Sequence, residues 1–418
     1  MQADLIIKNI RQLVTCRRSK PGPVTGGDLN HLEIIENGAV ASFDGKIVAV
    51  GTTSDVERRI ELAYSGEVID ATDQVVTPGL VDAHTHPVFA ATREDEFEMR
   101  NLGKSYMEIA EAGGGIRNSV RKLREAPAEK LFDNAIRYLD LMLQHGTTTI
   151  EAKSGYGLST ESEIKQLEVI RKLAENHAVD IVPTFLGAHE IPDEYREDRE
   201  GYIRLLIDEM IPEVVKGKLA VFSDIFCEKN VFEIEDSERI QTAARDHGLK
   251  LKFHADEIVG IGGAELAARL GAVSADHLDV ISDNGIAEMA KSGTIGVLLP
   301  GTVHFLDLKA RPPARKMIEA GVPISLATDF NPGSSATPSL QIIMNFGAAM
   351  LKMTAAEIIN CVTINSACAL LMDDMVGSIE VGKQADFVVW SADNYRQLPY
   401  FYGINLADQV IKKGKPVS

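Results

Sequence analysis

Cysteine, basic residues and long apolar runs are all scarce in this sequence. Its 418 residues include four cysteines without a C-x-x-C pair, which favours buried thiols in a reducing cytoplasm over disulfides or a thiolate metal site. Lys and Arg number 43 against 61 Asp and Glu, and this net charge of −18 argues against nucleic acid and anionic membranes as partners. No apolar run reaches the ~18 residues of a membrane span, and the N-terminus lacks the basic start of a signal peptide. We therefore expect a cytoplasmic globular protein.

The two ends of the chain both consist of short apolar runs separated by turns. Near the N-terminus, residues 38–43 and 46–50 flank Asp44-Gly45, a typical hairpin turn. Residues 377–390 and 409–416 have the same character. Because each end is too short to bury its own core, we expect residues 1–72 and 375–418 to pair into one small β-sandwich.

The region 73–374 between the ends alternates apolar runs with amphipathic segments. Eight runs are candidate strands: 74–80, 147–151, 180–187, 219–227, 250–254, 273–277, 294–299 and 323–328. Amphipathic patterns between them include 128–145, 161–176, 234–247, 258–270 and 282–292. This repeat predicts the α/β class and a (β/α)8 TIM-like barrel. A doubly wound sheet is the alternative, but no strand is followed by a complete glycine-rich phosphate fingerprint.

Polar residues that can bind metals or transfer protons follow several of the predicted strands. Five of the ten histidines end strands: His84, His86, His189, His254 and His277. A single such histidine is usually a satisfied core residue, but catalytic residues of barrels lie at the C-terminal strand ends, so five together indicate a site. Three others end predicted helices, where a cation complements the helix dipole: His145, His177 and His247.

A metal site can be assembled from these strand ends. His84 and His86 point to the same side of a strand, although one His-x-His pair also arises by chance. Together with His254 and Asp329 they form a set of three nitrogens and one oxygen that suits one Zn²⁺ or Fe ion and leaves a position for water. We interpret Lys153, after the second strand, as a solvated or substrate-facing residue rather than a modified bridge between two metals.

Glu257 is the candidate general base, because it lies three residues beyond His254 in the loop that leaves the same strand. The alternative is a structural role, in which Glu257 is an acid near the N-cap of a helix that begins close to residue 258. On the neighbouring strand, His277 could polarise a carbonyl and stabilise the oxyanion that develops on it.

Several motifs along nearly the whole chain resemble those of the amidohydrolase superfamily. The segments 78–86 and 377–386 are common to the superfamily, whereas those at 151–158, 184–189, 254–257 and 328–334 are more specific. The resemblance implies the same metal ligands, proton transfer by Glu257 and Asp329, and an oxyanion role for His277. It also implies a set of substrate-binding residues: Arg93, Tyr156, His189, Asn331, Gly333 and Ser334.

The activity that the resemblance implies is the opening of a small cyclic amide, 4-imidazolone-5-propanoate, by water. Arg93 would bind the propionate carboxylate, although an arginine in such a charged stretch is more often a surface ion-pair partner. A metal-dependent deaminase of a nucleobase-like ring is the alternative within the superfamily, and a non-catalytic scaffold is the alternative from another class. Superfamily habit suggests a homodimer.

Overall fold

The computed structural model describes residues 1–104, 108 and 113–417, and two β-sheets organise this part of the chain. The second sheet is an almost closed barrel of eight parallel strands that pair in sequence order. Its strands are β6 (Leu80–Asp82), β7 (Thr147–Lys153), β8 (Asp180–Ala188), β9 (Phe222–Cys227), β10 (Lys250–Ala255), β11 (Ser274–His277), β12 (Ile295–Leu298) and β13 (Ile324–Leu326). The predicted (β/α)8 barrel is thereby confirmed.

The barrel closes through the residues that follow its first and last strands. Asp329 N donates to His84 O at 3.0 Å, and His86 N donates to Phe330 O at 2.8 Å. The backbone of the His-x-His segment is therefore a seam of the barrel. Because backbone pairing sets side-chain direction, this seam brings two predicted metal ligands next to a third.

The first sheet contains strands from both ends of the chain, as predicted. Its strands are β1 (Gln2–Val14), β2 (Ile34–Phe43), β3 (Lys46–Thr52), β4 (Glu61–Asp70), β5 (Val75–Pro78), β14 (Phe387–Trp390), β15 (Ala407–Lys412) and β16 (Lys415–Pro416). Their order is β16-β15-β14-β5-β1-β2-β3, and β4 pairs with β1. The predicted hairpin turn joins β2 to β3, and Asp44 and Gly45 both have the positive φ that a type I′ turn requires.

The predicted first strand, 74–80, is two strands in the structure. β5 pairs with β1 and β14 of the first sheet, whereas β6 pairs with β7 of the barrel. The division falls at Gly79, whose N–H donates to Asp386 O. A Cβ atom at Gly79 would overlap the side chain of Thr148, so the close approach of the two sheets requires glycine here.

Most helices follow barrel strands, whereas the first one packs against β1, β2 and β3 of the first sheet. Those described are α1 (Thr53–Arg59), α2 (Glu94–Asn101), α3 (Ile116–Glu125), α4 (Ala128–Gln144), α5 (Thr160–Asn176), α6 (Arg199–Leu205), α7 (Ile211–Gly217), α8 (Ile234–Asp246), α9 (Gly263–Leu270), α10 (Asp283–Ser292), α11 (Pro300–Phe305), α12 (Ala314–Glu319), α13 (Leu340–Ala349), α14 (Ala355–Cys361), α15 (Ile364–Ala369) and α16 (Gln397–Tyr400). In α4, Leu131, Ala135, Leu139 and Met142 are buried at helical spacing and form one apolar face. Within the described ranges, no helix is both long and apolar enough to span a membrane.

Three helices end at the histidines that were predicted to end them. His145, His177 and His247 are the C-cap residues of α4, α5 and α8. One predicted helix differs from the structure, because the pattern at 258–270 forms a helix only from Gly263 onward. The residues before Gly263 form a loop whose N–H groups donate to the carboxylate of Asp256.

A buried ion pair joins the barrel to the first sheet. Lys412 Nζ, at the end of β15, lies 2.7 Å from both Asp180 Oδ2 and Asp386 Oδ2. Trp390 is fully buried in the same sheet, and its Nε1–H donates to Thr77 Oγ1 at 2.9 Å. These contacts fix the first sheet at the N-terminal end of β8, away from the strand ends that carry the predicted site.

Candidate active site

A cavity of about 250 Å³ lies at the C-terminal ends of the barrel strands. Its lining includes all the site residues that the sequence predicted except His84, which is fully buried. The predicted residues in the lining are His86, Arg93, Tyr156, His189, His254, Glu257, His277, Asp329, Asn331, Gly333 and Ser334. Folding therefore brings together residues that are far apart in the sequence.

The predicted metal ligands converge at one wall of this cavity. His84 Nε2 and His86 Nε2 lie 3.3 Å apart, and Asp329 Oδ1 lies 3.5 Å from each of them. The ring of His254 is centred 4.5 Å from that of His84, and donor atoms of the three histidines all lie within 4.8 Å of one another. Thr302 donates its hydroxyl proton to the other oxygen of Asp329 at 2.5 Å, which leaves Oδ1 directed at the rings.

The histidines of this cluster are suited to hold a cation. His84 Nδ1–H donates to Asp276 Oδ2 at 2.6 Å, so the lone pair of its Nε2 faces the centre. His254 Nδ1 lies 3.0 Å from Asp224 Oδ2, although the contact lacks hydrogen-bond geometry. Burial is the main cause that lowers the pKa of His84 and His86 well below the usual value, so both rings are neutral. Neutral imidazoles beside a carboxylate fit a divalent cation.

Glu257 and His277 face each other beside the predicted metal ligands. Glu257 Oε1 lies 3.6 Å from His277 Nδ1, and Asp279 Oδ2 lies 4.0 Å from the same nitrogen. Burial, followed by the charges of Asp329 and Asp279, raises the pKa of Glu257 well above its ordinary value. His277 and Leu278 have φ of +74° and +67°, a left-handed backbone that costs energy for residues with side chains. Such strain is typical of positions where function dictates side-chain direction.

Arg93 also lines the cavity and is paired with an acid. Its Nε and Nη2 are 2.8 and 2.6 Å from Glu96 Oε2. Arg93 therefore does form an ion pair, as arginines in charged stretches often do, but the pair lies in the cavity and not on the outer surface. The guanidinium of Arg93 also packs closely on Gly333, where a Cβ atom would have to displace Arg93 Nη1. Asn331 Oδ1 accepts from the N–H groups of Gly333 and Ser334, each at 2.8 Å, and thereby shapes this turn.

Tyr156 and His189 line the cavity beside His86, one of the predicted metal ligands. The ring of His189 is stacked on that of His86, with centroids 5.5 Å apart and planes inclined by 16°. His189 Nδ1–H donates to Gly155 O at 2.9 Å, and burial lowers the pKa of the ring to about 3. The neutral ring therefore presents Nε2 as a hydrogen-bond acceptor. Burial also raises the pKa of Tyr156, which keeps its hydroxyl protonated as a donor.

Sequence comparison agrees with this geometry, because a model of the Amidohydrolase family matches residues 75–417. The chain belongs to the amidohydrolase family. This amidohydrolase is also similar to proteins named imidazolonepropionase. That of Geobacillus thermodenitrificans is 51% identical over 414 residues, which cover 99% of this chain and 97% of that protein. That of Alkaliphilus metalliredigens is 48% identical over 417 residues, which cover 100% and 98% of the two chains.

Solved structures of other enzymes share the fold at much lower identity. A zinc-bound adenosine deaminase from Xanthomonas campestris has a TM-score of 0.71 and 22% identity, with 99% of this chain and 93% of that chain covered. Guanine deaminase from E. coli has a TM-score of 0.73 and 15% identity, with coverage of 99% and 98%. These likenesses establish the architecture of the amidohydrolase. The family and the convergent donors together point to a divalent metal at its centre.

Lys153 is the residue for which the sequence interpretation was wrong. It is fully buried in the barrel rather than solvated or directed at a substrate. Its Nζ lies 2.6 Å from Asp224 Oδ2, 2.9 Å from Glu151 Oε2 and 3.7 Å from Asp276 Oδ2. Burial opposes the charge, yet these carboxylates raise the pKa of Lys153 overall. The lysine therefore stabilises the two acids that contact His84 and His254.

Lys252 extends this buried network of charges. Its Nζ lies 3.1 Å from Glu151 Oε1 and donates to Ala83 O at 3.2 Å. The ammonium group also lies 4.9 Å from the centre of the Phe222 ring. The sequence did contain a signal for this network, because Glu151 and Lys153 are two residues apart in a predicted strand and therefore point to the same side. In the structure every residue of that strand is buried.

Two further acids hold the loop that carries Glu257. Glu228 accepts hydrogen bonds from the N–H groups of Ile258 and Val259 at 3.0 and 3.1 Å. Asp256 accepts from the N–H groups of the next residues, including Ala264 at 3.0 Å. Because α9 begins only at Gly263, Glu257 lies outside the first turn of that helix. The structure therefore does not support the alternative role as an acid near the N-cap.

Arg100 is a residue of the cavity that the sequence interpretation missed. Its guanidinium carbon lies 5.1 Å from the ring centre of Phe305 and 5.7 Å from that of Phe97, and Nη2 donates to Gly333 O at 3.4 Å. Burial is the main cause that lowers its pKa. The signal in the sequence was its spacing from Arg93, because residues seven apart lie on one helix face.

Replacing Lys153 with methionine should strongly destabilise the fold. The substitution removes an ammonium group and leaves Asp224, Glu151 and Asp276 as buried acids with fewer partners. We expect the free energy of unfolding to fall by about 3–5 kcal/mol. Denaturant unfolding followed by circular dichroism measures this, and Lys130→Met on the exposed face of α4 is the control. An effect no larger than that of the control would contradict the role given to Lys153.

Proposed function

We propose that this chain catalyses the imidazolonepropionase reaction, in which water opens 4-imidazolone-5-propanoate to N-formimidoyl-L-glutamate. The observation that carries the proposal is that three imidazoles and a carboxylate converge at a cavity that an arginine also lines. Relatives that bear this enzyme's name and are about half identical to the chain over nearly its full length support the same reaction.

The proposed cofactor is one Zn²⁺ or Fe ion per subunit, held by His84, His86, His254 and Asp329. Such an ion supplies Lewis-acid chemistry that lowers the pKa of water to about 7. A hydrogen bond to Asp276 orients His84 from the far side, Asp224 lies beside His254, and the hydroxyl of Thr302 orients Asp329. The donor set supports one ion rather than two, because the ammonium group of Lys153 lies among the other buried carboxylates.

Glu257 is proposed as the general base and later as the general acid. Burial and nearby acids raise its pKa, so the carboxylate binds a proton readily at the moment that water attacks. The attacking oxygen forms a bond to the ring carbonyl carbon, and Glu257 takes the proton. The C–N bond then breaks while the ring nitrogen receives a proton from Glu257 or Asp329. One water is consumed, and the ring becomes a carboxylate and a formimidoyl amine.

His277 is proposed to stabilise the carbonyl oxygen as its negative charge grows. Burial lowers the pKa of His277 well below its usual value, so the ring donates a hydrogen bond as a neutral imidazole. Its Nδ1 lies 3.6 Å from Glu257 Oε1, so the proposed base and the proposed oxyanion donor are neighbours. Glu257 follows β10 and His277 ends β11. Because these two strands are paired in the barrel, the pairing sets the distance between the two residues.

Substrate binding is proposed to involve the remaining wall of the cavity. Arg93 would bind the propionate carboxylate through charge-assisted hydrogen bonds. Tyr156 would donate its hydroxyl proton, and His189 Nε2 would accept from a ring N–H. The turn that contains Asn331, Gly333 and Ser334 would hold the other side of the ring, since its geometry is fixed by internal hydrogen bonds.

Turnover of freshly prepared 4-imidazolone-5-propanoate, followed by its ultraviolet absorbance, tests the proposed function, with metal content measured on the same sample. Glu257→Gln should lower kcat by on the order of 10² or more, because it removes the proton acceptor. Metal content should stay unchanged, because Glu257 is not a ligand. Glu235→Gln, on the exposed face of α8, is the control. Near-normal turnover of Glu257→Gln would refute its assignment as the base.

Replacing Arg93 with alanine tests whether the substrate carries a carboxylate, and so separates this reaction from deamination of a base. A hydrogen bond to a charged group contributes about 1.5–3 kcal/mol, so KM should rise roughly ten- to a hundredfold. The carboxamide analogue of the substrate should be much less sensitive to the change. Arg137→Ala, an exposed variant on α4, is the control. Equal KM values for wild type and Arg93→Ala would favour a deaminase.

A homodimer in the cytoplasm is the proposed working form. Four aromatic and aliphatic side chains at the end of α16 and beyond are exposed, which is unusual for a free surface: Tyr400, Phe401, Tyr402 and Ile404. The four cysteines are buried and unpaired, as suits a reducing compartment. Light scattering should give twice the chain mass of 45.5 kDa. A monomeric mass at micromolar concentration would exclude the dimer.

A further inference from the structure

A buried acid outside the cavity controls the loop between β7 and α5. Glu163 lies in the first turn of α5 and is fully buried, yet no lysine or arginine is paired with it among the described residues. Its carboxylate instead faces the backbone of residues 155–158. That loop carries Tyr156, a wall of the cavity, on its inner side.

Three backbone N–H groups of this loop donate to the one carboxylate. Glu163 Oε1 accepts from Gly157 N at 2.7 Å and from Leu158 N at 2.8 Å. Oε2 accepts from Gly155 N at 3.1 Å. Gly155 and Leu158 have φ of +105° and +50°, so the loop has a tight curvature that few residues adopt unaided. Buried N–H groups without acceptors are costly, and the carboxylate therefore selects this one loop conformation.

The loop connects the carboxylate of Glu163 to two side chains that line the cavity, those of His189 and Tyr156. Gly155, held through its N–H, accepts the Nδ1–H of His189 with its carbonyl. Tyr156 N donates to the side chain of Gln166, which lies one turn further along α5 and donates in turn to Val88 O. The position of His189 and the position of Tyr156 thus both depend on contacts made by α5.

We propose that Glu163 is a positioning residue for substrate binding, acting through Gly155 on His189 and through the loop on Tyr156. The identity of the substrate in this proposal rests on the proposed function. The contact between Glu163 and the loop does not depend on it. With Gly155 O held in place, His189 keeps its proton on Nδ1 and offers Nε2 to a substrate N–H. If Gly155 and His189 are no longer held in these positions, substrate binding should weaken, while the rate of the chemical step should change much less.

Glu163→Gln is the informative substitution, because it keeps the shape of the side chain. The amide retains one acceptor oxygen, which can keep the two shorter bonds to Gly157 and Leu158. Its NH₂ group then faces the N–H of Gly155, so a donor meets a donor. The substitution therefore releases Gly155, whose carbonyl accepts the Nδ1–H of His189. Glu161→Gln, two residues away but exposed, is the matched control.

Hydrogen–deuterium exchange on the metal-loaded protein tests the contact without any substrate. In Glu163→Gln, the amide of Gly155 should exchange roughly tenfold faster or more, while peptides from the other strand ends keep their rates. Glu161→Gln should match wild type. Unchanged exchange in this loop would overturn the proposal. Arg124→Met is a second variant for the same loop, because this partly exposed side chain donates to the carbonyls of Gly157 and Leu158.

Kinetics with 4-imidazolone-5-propanoate test the consequence for binding. We expect KM of Glu163→Gln to rise roughly tenfold or more, with kcat within about threefold and metal content unchanged. In a double-mutant cycle with His189→Ala, the two effects on KM should be far from additive, because Glu163 acts through His189. Additive effects, or an unchanged KM in both Glu163→Gln and Arg124→Met, would overturn the proposal. If wild type does not turn over this substrate, the proposed function fails while the exchange result still decides the role of Glu163.

Discussion

The ammonium group of Lys153, surrounded by three carboxylates inside the barrel, is the interaction on which the rest of the site depends. Charges removed from water are tolerated only when they are paired. Asp224 and Asp276 are paired through this lysine, and they in turn contact His254 and His84. The direction in which the imidazoles present their nitrogens therefore follows from an ion network below them. The arrangement of the predicted metal ligands thus depends on charges buried behind them.

Buried carboxylates have a second use, which is to hold loops at the rim. Glu163, Glu228 and Asp256 are buried, and each accepts at least two backbone N–H groups from a loop that carries cavity residues. A loop held in this way loses little further freedom when a substrate binds, so binding is stronger and its geometry is better defined. The rigid barrel supplies positions for the strand ends, and these acids extend that rigidity into the loops.

Backbone strain is concentrated at the same rim. Asp256, His277 and Asp329 have φ of +49°, +74° and +50°, and each lies where a barrel strand ends or just beyond it. A left-handed backbone at a non-glycine residue costs energy and persists only where neighbouring contacts enforce it. At His277 and Asp329 the chain turns sharply and both side chains line the cavity, whereas the Asp256 carboxylate holds the loop that follows its strand. Stability from the barrel core and the first sheet offsets this cost.

The sequence by itself determined the alternating α/β architecture, the pairing of the chain ends and the strand ends that carry the predicted metal ligands. These follow from local periodicity and from the rule that parallel strands end at one rim. Tertiary structure decided the rest: the break at Gly79, the late start of α9, the burial of Lys153 and the place of Arg100. Each of these depends on a partner far away in the chain, such as Thr148 for Gly79 or Asp224 for Lys153. Local patterns report the polarity of a residue, whereas only the folded chain decides which opposite charge, if any, lies beside it.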